Sequence, residues 1–138
     1  MSELRARFQA SLRRCLSSKG FLDRFYELFL DSSPEVKAKF EGTDFERQKR
    51  MVRDSFRIIE VLAESPPGSP AWSQMHEIAR THDRHHRDIR PQLYDLWLDC
   101  LVKAVYEHDP EASAETEQAW RTVLAPGIEF MRSAHQGS

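Results

Sequence analysis

The sequence predicts an all-α protein. Apolar residues recur every three or four positions through most of the chain, capping residues and prolines stand where those runs begin, and no alternating apolar run bounded by hairpin turns occurs. About seven helices are expected from this periodicity, with neither an internal repeat nor a low-complexity tract among them.

The elements follow in order. Residues 3 to 16 place Leu4, Phe8, Leu12, Cys15 and Leu16 on one helical face, and "FLDRFYELFL" does the same with Phe21, Phe25, Leu28 and Phe29. Gly20 separates the two. In "SSPEVKAKF", Ser33 is an N-cap and Pro34 the first helical residue, which suits a short helix ending near Phe40. After a break at "EGTD", Asp44 caps a helix whose apolar positions are Phe45, Val52, Phe56, Ile59 and Leu62, and which should stop by Ser65. "SPPGSP", residues 65 to 70, is a loop because its prolines remove backbone donors and its glycine loosens the chain. A helix from Trp72 to His82 is expected next, then one from Pro91 to Glu107 with Tyr94, Trp97, Leu98, Leu101, Ala104 and Val105 as its stripe. "HDPEASAE" interrupts, and the last helix turns Trp120, Val123, Leu124, Ile128 and Met131 toward the core.

Composition bounds the function. The 138 residues fit one domain, 1–138; the proline-rich loop could link two, but neither flank is large enough to fold alone. Hydrophobic residues make up 40% and charged residues 30%, as in soluble proteins, and no apolar run approaches the roughly 20 residues of a membrane span. The charged start, "MSELRARFQASLRRC", lacks a secretory signal, so a cytoplasmic location is expected. Cys15 and Cys100 are spaced for neither zinc nor a disulfide framework and read as buried thiols. With a formal charge of −2 and scattered Lys and Arg, no basic stripe suits a phosphate backbone, and nucleic acid is not an expected partner.

Four segments carry a family likeness. "FYELFLDSSPEVKAKF" (25–40) resembles the second and third helices of bacterial globins, with the Phe-Tyr pair, Pro-Glu-Val and closing Phe at the family's spacing. "IARTH" (78–82) is similar to the segment that ends in the iron-ligating histidine. "YDLWLDCLVKAV" and "AWRTVLAPGIEFM" resemble the last two long helices of single-domain bacterial globins and of the haem domain of flavohaemoglobins. The likeness covers nearly the whole chain. It implies a globin fold, haem b as cofactor, a histidine-ligated iron and a diatomic gas (O2, CO or NO) as ligand.

Haem iron needs an axial protein ligand and an apolar slot, and neutral imidazole serves where the other face stays open to a gas. His82 has Ile78 and Ala79 one turn behind it and so extends an apolar face, whereas His85 and His86 have polar residues behind them. His82 is therefore the favoured proximal ligand. His85 stands as the alternative, because the interval to Tyr94 in the next helix differs from the family's and implies an insertion in the turn. The resemblance lets His86 reach a haem propionate. His82 and His86 are also spaced for zinc, but the glutamate of HExxH and a third ligand are missing.

On the other haem face the resemblance nominates Tyr26 and Gln48. A phenol and a carboxamide both donate hydrogen bonds to the negatively polarised outer oxygen of bound O2 and slow its release. Without the motif, Tyr26 would read as a core tyrosine and Gln48 as a surface glutamine. Val52 would line the gas pocket and Phe40 would pack on the porphyrin. The segment between Phe40 and Gln48 is shorter than the family's, which leaves Arg47 and Met51 as rivals for the register of Gln48.

The resemblance also separates two functions. Flavohaemoglobins have a flavin and nicotinamide domain, and none is in this sequence, so an electron donor or signalling partner is expected to be a separate protein. They also place a glutamate late in the final helix to make the proximal imidazole more electron-donating. The corresponding place here is near His135, and Glu129 comes too early. The sequence thus favours reversible oxygen binding, transport or sensing over an NO dioxygenase working with a separate reductase. An exposed electropositive rim would be the structural discriminator for the enzyme.

Overall fold

Glycine, serine, aspartate and proline punctuate a chain that is otherwise helical in the computed structural model, which describes residues 2–66, 68–82 and 90–137, without the side chains of residues 2, 63, 80–82 and 134–137. Among the described residues there are seven α-helices and no strand: α1 (Ser2–Ser17), α2 (Phe21–Ser32), α3 (Pro34–Lys39), α4 (Phe45–Glu60), α5 (Pro70–His82), α6 (Pro91–His108) and α7 (Ala114–Gly137), with a 3-10 turn at Leu62–Glu64. No helix among them is long and apolar enough to cross a membrane.

The boundaries have local causes. Gly20 turns the chain between α1 and α2 at φ 89, a conformation that side chains with a Cβ avoid. Ser33 accepts the Glu35 backbone N–H at 3.1 Å and Pro34 occupies the first position of α3. Asp44 accepts the N–H groups of Glu46 (3.1 Å) and Arg47 (3.3 Å), which starts α4. At the head of α7, Ser113 and Thr116 cap each other's backbone N–H groups, at 3.1 and 3.4 Å.

Two expectations need adjustment. The helix expected to begin at Trp72 begins at Pro70, because the Ser69 carbonyl already takes the Ser73 N–H at 3.1 Å and a proline at the first helical position forfeits no hydrogen bond. Leu62, expected as the last apolar position of α4, sits in the 3-10 turn beyond it and is still buried. The α6 stripe is also wider than expected: Leu93, Cys100 and Val102 are buried, whereas Trp97 and Leu98 are only half-buried.

The core centres on Trp120 of α7. Its ring meets Phe8 of α1 at 4.8 Å, Phe56 of α4 at 5.8 Å and Phe21 of α2 at 6.3 Å. Burying a side chain of this size contributes about 1.5–3 kcal/mol, so this cluster carries a large share of the stability. α2 lies along α6 and α1 along α7, while α4, α5 and α6 also rest on α7. A close approach joins α4 to α7 at Gly127, where an added Cβ would come within 3.0 Å of Ile59.

One polar network is buried in this shell. Asp109, which follows α6, accepts hydrogen bonds from Ser11 at 2.6 Å and from the Arg14 guanidinium at 2.6 and 3.0 Å, and Ser11 in turn accepts the Trp120 indole N–H at 2.9 Å. These bonds tie α1, the α6–α7 turn and α7 together.

Candidate functional site

The second turn of α2 buries Tyr26, which is only 4% exposed. Its ring lies against Phe25 (4.8 Å) on its own helix, Phe45 (5.5 Å) at the start of α4 and Phe40 (5.8 Å) after α3. Phe29 extends the aromatic wall toward Phe40 at 5.8 Å. Within this wall the Gln48 side chain approaches the Tyr26 hydroxyl. Burial pushes the Tyr26 phenol far above its ordinary range, and the nearby Gln48 side chain offsets that only in part. The hydroxyl therefore stays protonated and can donate.

Gln48 reaches Tyr26 because of the cap that precedes it. Asp44 fixes the first turn of α4, and its carbonyl accepts the Gln48 N–H at 3.0 Å, which sets the rotation of the helix. Of the three candidates for this register, Gln48 is half-buried and meets Tyr26, Arg47 is exposed, and Met51 is 52% exposed. Val52, one turn on, is buried on the same side as Gln48. Phe45 was read from the sequence only as a core position. Its contact with the α2 tyrosine comes from packing between helices, for which the local sequence holds no signal.

α5 presents Met75 and Ala79 to the interior, 1% and 4% exposed. His82 is the last residue of that helix, three positions after Ala79 and seven after Met75, and its side chain lies outside the described residues, as do His85 and His86. Tyr94 is buried in α6, where desolvation holds its phenol well above the usual range. Glu129 of α7 is exposed and lies 3.8 Å from Arg132, and the side chain of His135 is outside the description.

The charge distribution corrects one expectation. Basic residues read as scattered in the sequence, but Arg47, Arg50, Arg53 and Arg57 fall at intervals of three, three and four, so α4 carries them along its outer side. All four are exposed. Elsewhere arginines are engaged, as in Arg14 with Asp109, Arg24 with Glu107 at 2.7 Å, Arg121 with Asp99 at 3.1 Å and Arg132 with Asp95 at 2.9 Å. A whole-chain charge of −2 concealed this local excess.

A surface hollow of about 350 Å³ lies between α1 and the start of α7, bounded by Ala6, Ala10, Arg14 and Thr116. Neither Tyr26 nor Gln48 lines it, and its two arginines, Arg7 and Arg14, are paired with Glu115 and Asp109.

Comparison with known proteins supplies a context for this geometry. The family model described as Globin matches residues 23–128, a span that includes Tyr26, Phe40, Gln48, Val52, His82 and Tyr94. A solved structure from Pseudomonas aeruginosa PAO1, of a protein described as structurally highly homologous to a human haemoglobin, is 41% identical. The match covers 96% of this chain and 98% of that one, with a TM-score of 0.88. No curated protein matches.

Proposed function

The chain belongs to the globin family, and from that membership we propose that it is a haem protein that reversibly binds a diatomic gas, for oxygen binding, transport or sensing. The observation that carries the reading is the Tyr26–Gln48 pair: two neutral hydrogen-bonding groups brought together from α2 and α4 inside an aromatic enclosure.

The residues present fit haem. Phe40, Phe45 and Val52 offer an apolar surround for a porphyrin, and the Tyr26 hydroxyl is a buried donor of the kind that suits a polar ligand in a dry pocket. The buried face of α5 that begins at Met75 and Ala79 leads to His82, the proposed proximal ligand, with Tyr94 packing on the cofactor from α6 and His86 toward a propionate. When bound, haem would supply an iron able to take a diatomic gas such as O2, CO or NO. Tyr26 and Gln48 would set how strongly a polar diatomic ligand is held, by donating hydrogen bonds to it, while Val52 would limit the space around it.

The test is kinetic. Tyr26→Phe removes one hydroxyl and keeps the ring, so O2 should dissociate roughly ten- to a hundredfold faster, the equivalent of about 1.5–3 kcal/mol for a strong buried hydrogen bond, while CO, much less polar when bound, should change little. Gln48→Leu should act in the same direction but less. An O2 off-rate unchanged in Tyr26→Phe would reduce Tyr26 to a core residue and remove the distal part of the reading.

A second reading is an NO dioxygenase served by a separate reductase. The arginine face of α4, which makes no ion pair among the described residues and lies on the helix that also carries Gln48 and Val52, favours it, since charge can steer a reductase to dock. NO consumption with a generic reductase distinguishes the two.

A further inference from the structure

We propose that the outer face of α4 is a docking surface for a protein that presents a carboxylate-rich face. Arg47, Arg50, Arg53 and Arg57 are exposed, and none makes an ion pair among the described residues, on a molecule whose other arginines are largely engaged. Like charges three and four positions apart oppose helix formation, and Glu46, four residues before Arg50, and Asp54, four after Arg50 and three before Arg57, offset that only in part. Met51 borders them beside Arg47, 52% exposed, one of two large apolar side chains so exposed among the described residues.

The composition of the patch selects the partner. Arginine and methionine are enriched at protein interfaces, where an apolar anchor inside a charged rim gives affinity and the charges give orientation and speed. Here Met51, at one edge of the patch, is the anchor and the four guanidiniums form the charged flank beside it. A duplex or a membrane surface fits less well. A phosphate backbone offers nothing apolar for Met51 to pack against, and one exposed apolar residue is too little to enter a bilayer. This docking does not depend on haem binding. Its position on the helix behind which Gln48 and Val52 lie makes an electron carrier the informative probe.

The experiment is an NMR titration of the isotope-labelled full chain with flavodoxin, a small acidic electron-carrying protein, at low and high salt. Resonances from Arg47 to Arg57 should shift at low salt and return at high salt. Arg50→Glu combined with Arg57→Glu should weaken binding about tenfold or more, and the milder Arg50→Gln with Arg57→Gln should act in the same direction. Arg13→Glu, the same charge change on an exposed part of α1, should leave it within about twofold. Absence of binding at low salt, shifts centred elsewhere, or equal weakening by Arg13→Glu would overturn the proposal. So would tighter binding of the same face to duplex DNA or to phosphatidylglycerol vesicles. Haem content, read separately by absorbance, does not enter any of these outcomes.

Discussion

Cys15 of α1 is fully buried, and its thiol is pushed up to about 12, mainly by desolvation and further by the negative charge of Asp109. It should therefore resist iodoacetamide at neutral pH in the native protein and react only on unfolding, which mass spectrometry of the alkylated chain checks. Asp109 moves the other way. Desolvation alone would raise its carboxyl, but hydrogen bonds from Arg14, Ser11 and the Glu111 N–H, with the Arg14 charge, outweigh it and hold the group below its ordinary value. A carboxyl lowered in the folded state contributes stability above its unfolded value and loses it as pH falls through the folded one. Asp109→Asn should thus cost on the order of 2–3 kcal/mol at neutral pH and flatten the acid side of the stability profile, as read by denaturant unfolding across pH. None of this network was legible in the sequence. "HDPEASAE" read as an interruption because the partners of Asp109 lie 98 and 95 positions away, and only packing reveals them.

At the scale of the element, α4 is the helix on which both the site and the outer charge depend. Asp44→Ala should cost about 1 kcal/mol, since two backbone N–H groups lose their acceptor, and thermal unfolding would show it. Gly127 tests the seam between α4 and α7. Alanine there gains about 1 kcal/mol of helix propensity, but its Cβ would sit 3.0 and 3.1 Å from the two γ-carbons of Ile59, a buried β-branched residue with little freedom to yield. Overpacking of this kind costs about 1–3 kcal/mol, so Gly127→Ala should be destabilising overall, and a stabilised protein in urea would refute that. Helix starts were legible because their causes are local: Ser33, Asp44 and Pro91 act on their immediate neighbours. The start of α5 was misread because Trp72 drew attention as the first apolar residue, while the boundary was set by Pro70 and the carbonyl of Ser69.

For the whole molecule, fold class and family followed from the order of four helical segments, since the periodicity that builds a core is written along the chain. The distal pair was nominated by likeness to a family, and the register of Gln48 became definite only with α4 packed against α2. The arginine face was hidden for the opposite reason, because composition averages charge that a helix segregates. The account rests on haem. Its most direct test is a titration of the purified chain with haem, followed by absorbance, in the wild type and in His82→Ala, His85→Ala and His86→Ala. The account predicts a Soret band saturating at one haem per chain in the wild type, with ferrous-oxy and ferrous-carbonyl forms, its retention in the His85 and His86 variants, and its loss or severe weakening in His82→Ala. Failure of stoichiometric haem to bind the wild type would contradict it, and a normal spectrum in His82→Ala with loss in His85→Ala would move the proximal ligand to His85.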